Sequence, residues 1–162
     1  MARTKIQKRE IIEKLGKLMA DARSIVFVNF HGLKVSDATT MRRAMKKDGV
    51  GYFVAKKSLT TRALTEKKYS GTMPELVGES GIAYSKDLIA PARNVYEFQK
   101  KFKDQVSITG GVFDGAYMDK AGMIAIASIP PLNTLRGMFV NVINSPIQGF
   151  VMALDQIAKK QK

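Results

Sequence analysis

Three clusters of Lys and Arg are the residues best placed to do chemistry. Lys5, Lys8 and Arg9 stand near the start of the chain. Arg42, Arg43, Lys46 and Lys47 crowd a second site, and Lys56, Lys57 and Arg62 surround Ser58. The chemistry on offer is anion binding. Lys brings a compact point charge, and Arg brings a planar fork that can hold two phosphate oxygens at once. Lys56-Lys57-Ser58 follows an apolar run and precedes a helical pattern. That order predicts a strand-to-helix junction with Ser58 as N-cap, where free backbone N–H groups would also attract a phosphate. Phe30, His31, Tyr52 and Phe53 lie between the clusters. Their rings could stack on unpaired bases, or they could pack in a core, which is the commoner fate at strand positions.

Groups for covalent or acid–base work are sparse. There is no cysteine, which excludes disulfides, thiolate catalysis and Cys-ligated zinc. His31 is the single histidine, so a His-cluster metal site is excluded, and no Ser or Cys partner for it is signalled. Asp114 and Asp119 come nearest to a carboxylate pair, in a chain whose acids are otherwise scattered. Magnesium-dependent phosphoryl chemistry needs a tighter cluster. Gly49-Val50-Gly51 falls between a helix and a strand, the wrong order for a dinucleotide loop, and no P-loop exists. The expectation is a binding protein with no catalytic residue, no metal, no cofactor and no small-molecule substrate.

The charge has an address. The 162 residues carry 27 Lys/Arg against 14 Asp/Glu, a net charge of +13. Residues 1–64 hold 15 basic and 5 acidic side chains, residues 65–130 hold 8 of each, and residues 131–162 hold 4 and 1. A uniform solubilising coat would not leave the middle neutral, so the first two-fifths of the chain reads as a polyanion-binding face. No uninterrupted run of about 18 apolar residues is present, so nothing is expected to span a membrane. The N-terminal stretch lacks the apolar core of a secretory signal, and a cytoplasmic protein is expected.

The elements that must position these residues follow from periodicity. Residues 5–22 predict a helix, Ser24–Phe30 a buried strand, and Ser36 or Asp37 the cap of a second helix ending at Asp48-Gly49. Gly51–Ala55 predicts a strand and Leu59–Lys67 a helix, giving a β-α-β-α order in the basic region. Beyond it come a strand at 81–85, a helix at 90–103, one or two strands within 106–117, and a short helix capped by Asp119. Pro130-Pro131 marks a boundary, because two prolines cannot continue a helix. The following segment is strongly apolar, with Ser145-Pro146 expected to restart or kink its helix. Ile147, Phe150, Val151, Leu154 and Ile157 continue an apolar stripe that either packs on its own domain or docks a partner helix, with a membrane-surface helix as a third option that the few, end-bunched basic residues disfavour.

Several segments in order resemble one family, the bacterial large-subunit ribosomal protein number ten, which forms the ribosomal stalk base. They are Gly32-Leu33-Lys34-Val35, Met41-Arg42-Arg43 through Gly49, Val54-Ala55-Lys56-Lys57-Ser58-Leu59, and the later VGESGIAYS, APAR, GGVFDG and AIASIP runs. The resemblance implies an α/β fold of two layers, a mixed sheet with packed helices, over residues 1–130. A C-terminal helical extension, 131–162, follows. It also implies a job. The first domain would bind large-subunit rRNA at the GTPase-associated region, beside neighbouring ribosomal protein number eleven. Lys5, Lys8, Arg9, Arg42, Arg43, Lys46, Lys56, Lys57, Ser58 and Arg62 would meet the RNA, with Gly32 and Leu33 positioning a loop against it. The C-terminal helix would anchor dimers of the acidic stalk protein through Ile147, Phe150, Val151, Leu154 and Ile157. Two features depart from the family pattern. Lys57 replaces the usual Asn, and a helix from Ser145 to the end spans about 26 Å, enough for two dimers at most. A regulatory or architectural nucleic-acid-binding protein is the alternative.

Overall fold

The sheet grows from the run SIVFVNF, whose first five residues are all buried. The computed structural model describes residues 5–67, 69–76, 78–102 and 105–160; the side chains of Lys5 and Lys160 fall outside the described residues. In chain order the elements are α1 (Lys5–Asp21), β1 (Ser24–Phe30), α2 (Val35–Lys47), β2 (Gly51–Val54), α3 (Lys57–Lys67), β3 (Ser80–Ser85), α4 (Ala90–Lys101), β4 (Val106–Phe113), β5 (Ala116–Met118), α5 (Lys120–Ala127) and α6 (Leu132–Lys160). They fall into two units, Met1–Ile129 and Pro130–Lys162.

In the first unit the strands lie in the order β2-β3-β1-β4-β5, and every neighbouring pair is antiparallel. Successive residues of β1 point to opposite faces. Val26 and Val28 join Met41, Met45, Val95 and Met123 on one side, where α2, α4 and α5 pack. Ile25 and Phe27 join Leu15, Met19, Ala63 and Leu64 on the other, under α1 and α3. A central strand covered on both faces has to read as a continuous apolar run. Helix α5 starts as expected, with the Asp119 carboxylate accepting from the Gly122 N–H at 2.9 Å.

The α/β class is as expected, but two details of the expectation are corrected. Helices cover both faces, so the domain has three layers rather than two. The sheet is antiparallel throughout its named strands; the parallel pairing present is an isolated bridge between Ser70 and Ala116. The reason is that β3 inserts between β1 and β2. Those two strands do run the same way across their helical crossover, but they are not neighbours. β3 and β4 flank β1 in the same manner, so the core is two interleaved split β-α-β units.

Local capping also differs. Helix α2 begins at Val35 after Lys34, which makes no side-chain cap, so Ser36 and Asp37 lie inside its first turn. Helix α3 begins at Lys57, so Ser58 is not its cap. The Lys56 carbonyl instead accepts from Leu59 and Thr60 N–H at 2.9 and 3.2 Å. In the second unit, α6 is one helix of 29 residues that runs through Ser145-Pro146. As one helix it is about 43 Å long, of which the stretch from Ser145 onward makes up the roughly 26 Å expected of a second segment. Its described side chains are exposed along the whole length, Phe139, Phe150 and Ile157 by 67, 65 and 56%. Leu132–Lys159 contains an 18-residue window of mean hydropathy 1.3 and is long and apolar enough to cross a membrane by length and composition. It still holds no uninterrupted apolar run of about 18 residues, because Asn and Gln punctuate it, so it meets a windowed average and not the criterion of an unbroken run.

Candidate nucleic-acid interface

The strand directions gather the first-turn residues. Val28 and Val54 both stand opposite Gly81 of β3, so the carboxyl ends of β1 and β2 lie at the same end of the sheet. Helices α2 and α3 follow those strands and therefore open at that end. Helix α1 precedes β1, and its Lys8 reaches the same place, so the starts of three helices converge. Aligned peptide dipoles and unpaired N–H groups make each start attractive to anions.

Between these elements lies a groove of about 770 Å³. Lys8, Lys56 and Lys57 supply its cations; Phe30, Val54 and Leu59 supply apolar surface; Glu79 and Ser80 come from the start of β3. The three lysines are exposed. Arg9, in the first half of α1, and Arg62, a little over one turn along α3 from Lys57, are exposed as well. Lys5 begins α1, but its side chain lies outside the described residues.

The second basic cluster sits elsewhere. Arg42, Arg43 and Lys46 are exposed along α2, whose Met41 and Met45 are buried on the opposite face of the sheet from α1 and α3. Three sequence clusters thus become two cationic surfaces, one at the sheet end and one along α2. Gly32 and Leu33 connect them. Gly32 has φ 62°, in the left-handed region that disfavours side chains, and Leu33 is half-buried against the α2, α4 and α5 core.

The aromatics divide between core and surface. Tyr52 and Phe53 alternate across edge strand β2 and are half-buried in opposite clusters. Each carries a cation over its ring, the Arg42 Cζ 5.7 Å from the Tyr52 centroid and the Lys14 Nζ 5.8 Å from that of Phe53. Burial pushes the Tyr52 hydroxyl up to about 12, with the Arg42 charge pulling the other way. Phe30 remains at the sheet end, half-buried, and His31 is exposed beside it, its backbone N–H donating to the Gln105 carbonyl at 2.8 Å.

The carboxylates singled out for catalysis have structural partners. Asp119 caps α5, and Asp114 sits at φ 47° in the β4–β5 turn with a 3.2 Å ion pair to Arg23. Glu79 and Ser80 are not singled out in the sequence as neighbours of the lysines. No local pattern could have found them, because β3 reaches the groove only through the strand order.

A basic α/β domain with cationic surfaces at one sheet end and along α2, followed by a helix with uncovered apolar residues, is built as a component of a larger assembly. The family model described as ribosomal protein L10 matches residues 3–100. The large ribosomal subunit protein uL10 of Shouchella clausii is 31% identical over 163 residues, covering 100% of this chain and 98% of its own. Those of Rhodospirillum rubrum and Burkholderia mallei are 33% identical over 140 residues and 32% over 155. These alignments cover 86 and 96% of this chain, and 81 and 93% of the relatives. The chain belongs to the ribosomal protein L10 family, as the motifs suggested. It is a structural constituent of the ribosome, in a family that is not an enzyme class.

Proposed function

We propose that residues 1–130 bind large-subunit rRNA at the GTPase-associated region, beside neighbouring ribosomal protein number eleven, and that residues 131–162 anchor dimers of the acidic stalk protein. The protein then acts in the cytoplasm, bound to the ribosome, and supports recruitment of translation factors. The observation that carries the RNA half is the meeting of Lys8 of α1 with Lys56 and Lys57 at the start of α3 in one groove. Fixed dipoles and lysines there favour phosphate without base specificity, which suits recognition of RNA shape. The exposed α2 arginines extend the cationic surface.

The stalk half is supported by α6. At 100° per residue, Leu132, Phe139, Ile143, Ile147, Phe150, Leu154 and Ile157 share one broad face, and Val151 falls outside it, next to the polar stripe. Asn141, Asn144, Gln148, Asp155 and Lys159 form the opposite stripe. An apolar helical face of this kind is what a partner helix covers.

The test has two arms. The full chain is titrated with the rRNA fragment over a salt series; log K is expected to fall steeply with log[salt]. A salt-independent affinity would overturn the RNA assignment, and equal or tighter binding to duplex DNA would favour a regulatory nucleic-acid-binding protein instead. Separately, L154D combined with F150A is expected to abolish co-purification with the acidic stalk protein. Undiminished co-purification, with α6 floating on lipid vesicles, would assign the helix to a membrane surface.

A further inference from the structure

Convex lysine surfaces suffice for the backbone of a duplex, so the apolar lining of the groove at the sheet end calls for another occupant. Val54 is exposed by 38% although it lies in a strand, and it lines the groove with Phe30, which is half-buried, and Leu59. Ser80 also lines it; this residue is 8% exposed, and its Oγ has no hydrogen-bond partner among the described residues. Lys56 and Lys57, at the head of the eleven-residue helix α3, and Lys8 bring positive charge to the same cavity, and Glu79 a carboxylate.

Resting on the RNA reading above, we infer that this groove takes one unstacked nucleotide of the bound RNA. The base lies against Phe30 and Val54, and its phosphate meets Lys56, Lys57 and the start of α3. A splayed nucleotide has the two parts the groove provides for, an apolar ring face and an anionic group one sugar away. Glu79 keeps a second phosphate off the β3 side and offers an acceptor to an exocyclic amino group. Tyr52 and Phe53 are already covered by Arg42 and Lys14, and exposed His31 is not part of the lining, so Phe30 is the ring that the groove offers to a base.

The experiment measures affinity of the full chain for the rRNA fragment, comparing wild type with F30L, which keeps apolar volume but loses the ring face. V54T, nearly isosteric and on an exposed edge, is the second variant should F30L melt early by circular dichroism. Loss of one stacked base is expected to weaken binding about 5- to 100-fold. The salt slope should stay unchanged, because no phosphate contact is removed. An abasic scan of the fragment is expected to find one position whose loss weakens wild type but not F30L. Wild-type affinity in both variants, or no such position, overturns the nucleotide groove and leaves the RNA reading standing. If wild type itself fails to bind the fragment, the parent reading falls instead.

Discussion

At the scale of single residues, the positions that matter are those where a charge or ring has only one place to go. Lys57 is the first residue of α3 and lines the groove. If it neutralises one phosphate, K57N should reduce the slope of log K against log[salt] by about one, and filter binding over a salt series reads that directly. An unchanged slope would remove Lys57 from the phosphate contacts. Tyr52 makes a second prediction. Burial raises its pKa from 10.0 to about 12, so the native state holds a proton that the unfolded chain releases. The stability this confers is complete below pH 10 and disappears as pH rises through 12. Urea midpoints should therefore drop between pH 10 and 12, and Y52F should drop less. Equal slopes for the two proteins would contradict the burial argument.

At the scale of elements, most helices and strands were legible because their periodicity is strong. Ser24–Phe30 and the Asp119 cap were read at their observed positions. The helix starts that differ from expectation are those marked by short polar signals alone. Ser58, Ser36 and Asp37 are good N-cap residues by type, yet α3 and α2 start before them, at Lys57 and Val35. Strand ends set by sheet pairing decide where each helix can begin. Ser145-Pro146 has the sequence of a helix start and sits inside α6. A continuous α6 pairs the N–H groups of Ile147 and Gln148 with carbonyls one turn earlier, whereas a helix restarting at Ser145 would leave them open. Amide hydrogen exchange should thus be slowed at Ile147 and Gln148 to within about tenfold of Val142 and Ile143. Exchange at the open-chain rate would restore the break.

For the molecule as a whole, the two units have different sources of order. Unit Met1–Ile129 has two buried clusters of its own, one on each face of the sheet. A chain ending at residue 129 is expected to keep the melting midpoint of the full protein within a few degrees and its RNA affinity within about threefold. Scanning calorimetry and the same titration check this, and a large loss of either would make α6 part of the RNA-binding unit.

The sequence alone determined where the charge lies along the chain, which segments are helix or strand, and the family. These follow from local composition, period and ordered motifs, which need no distant partner. Only the tertiary structure decided which basic residues share a surface. Lys8 and Lys56 are 48 positions apart and line one groove, whereas Arg42, between them in sequence, lies on the other side of the sheet. That outcome depends on β3 entering between β1 and β2, a pairing of strands distant in sequence that no local pattern records.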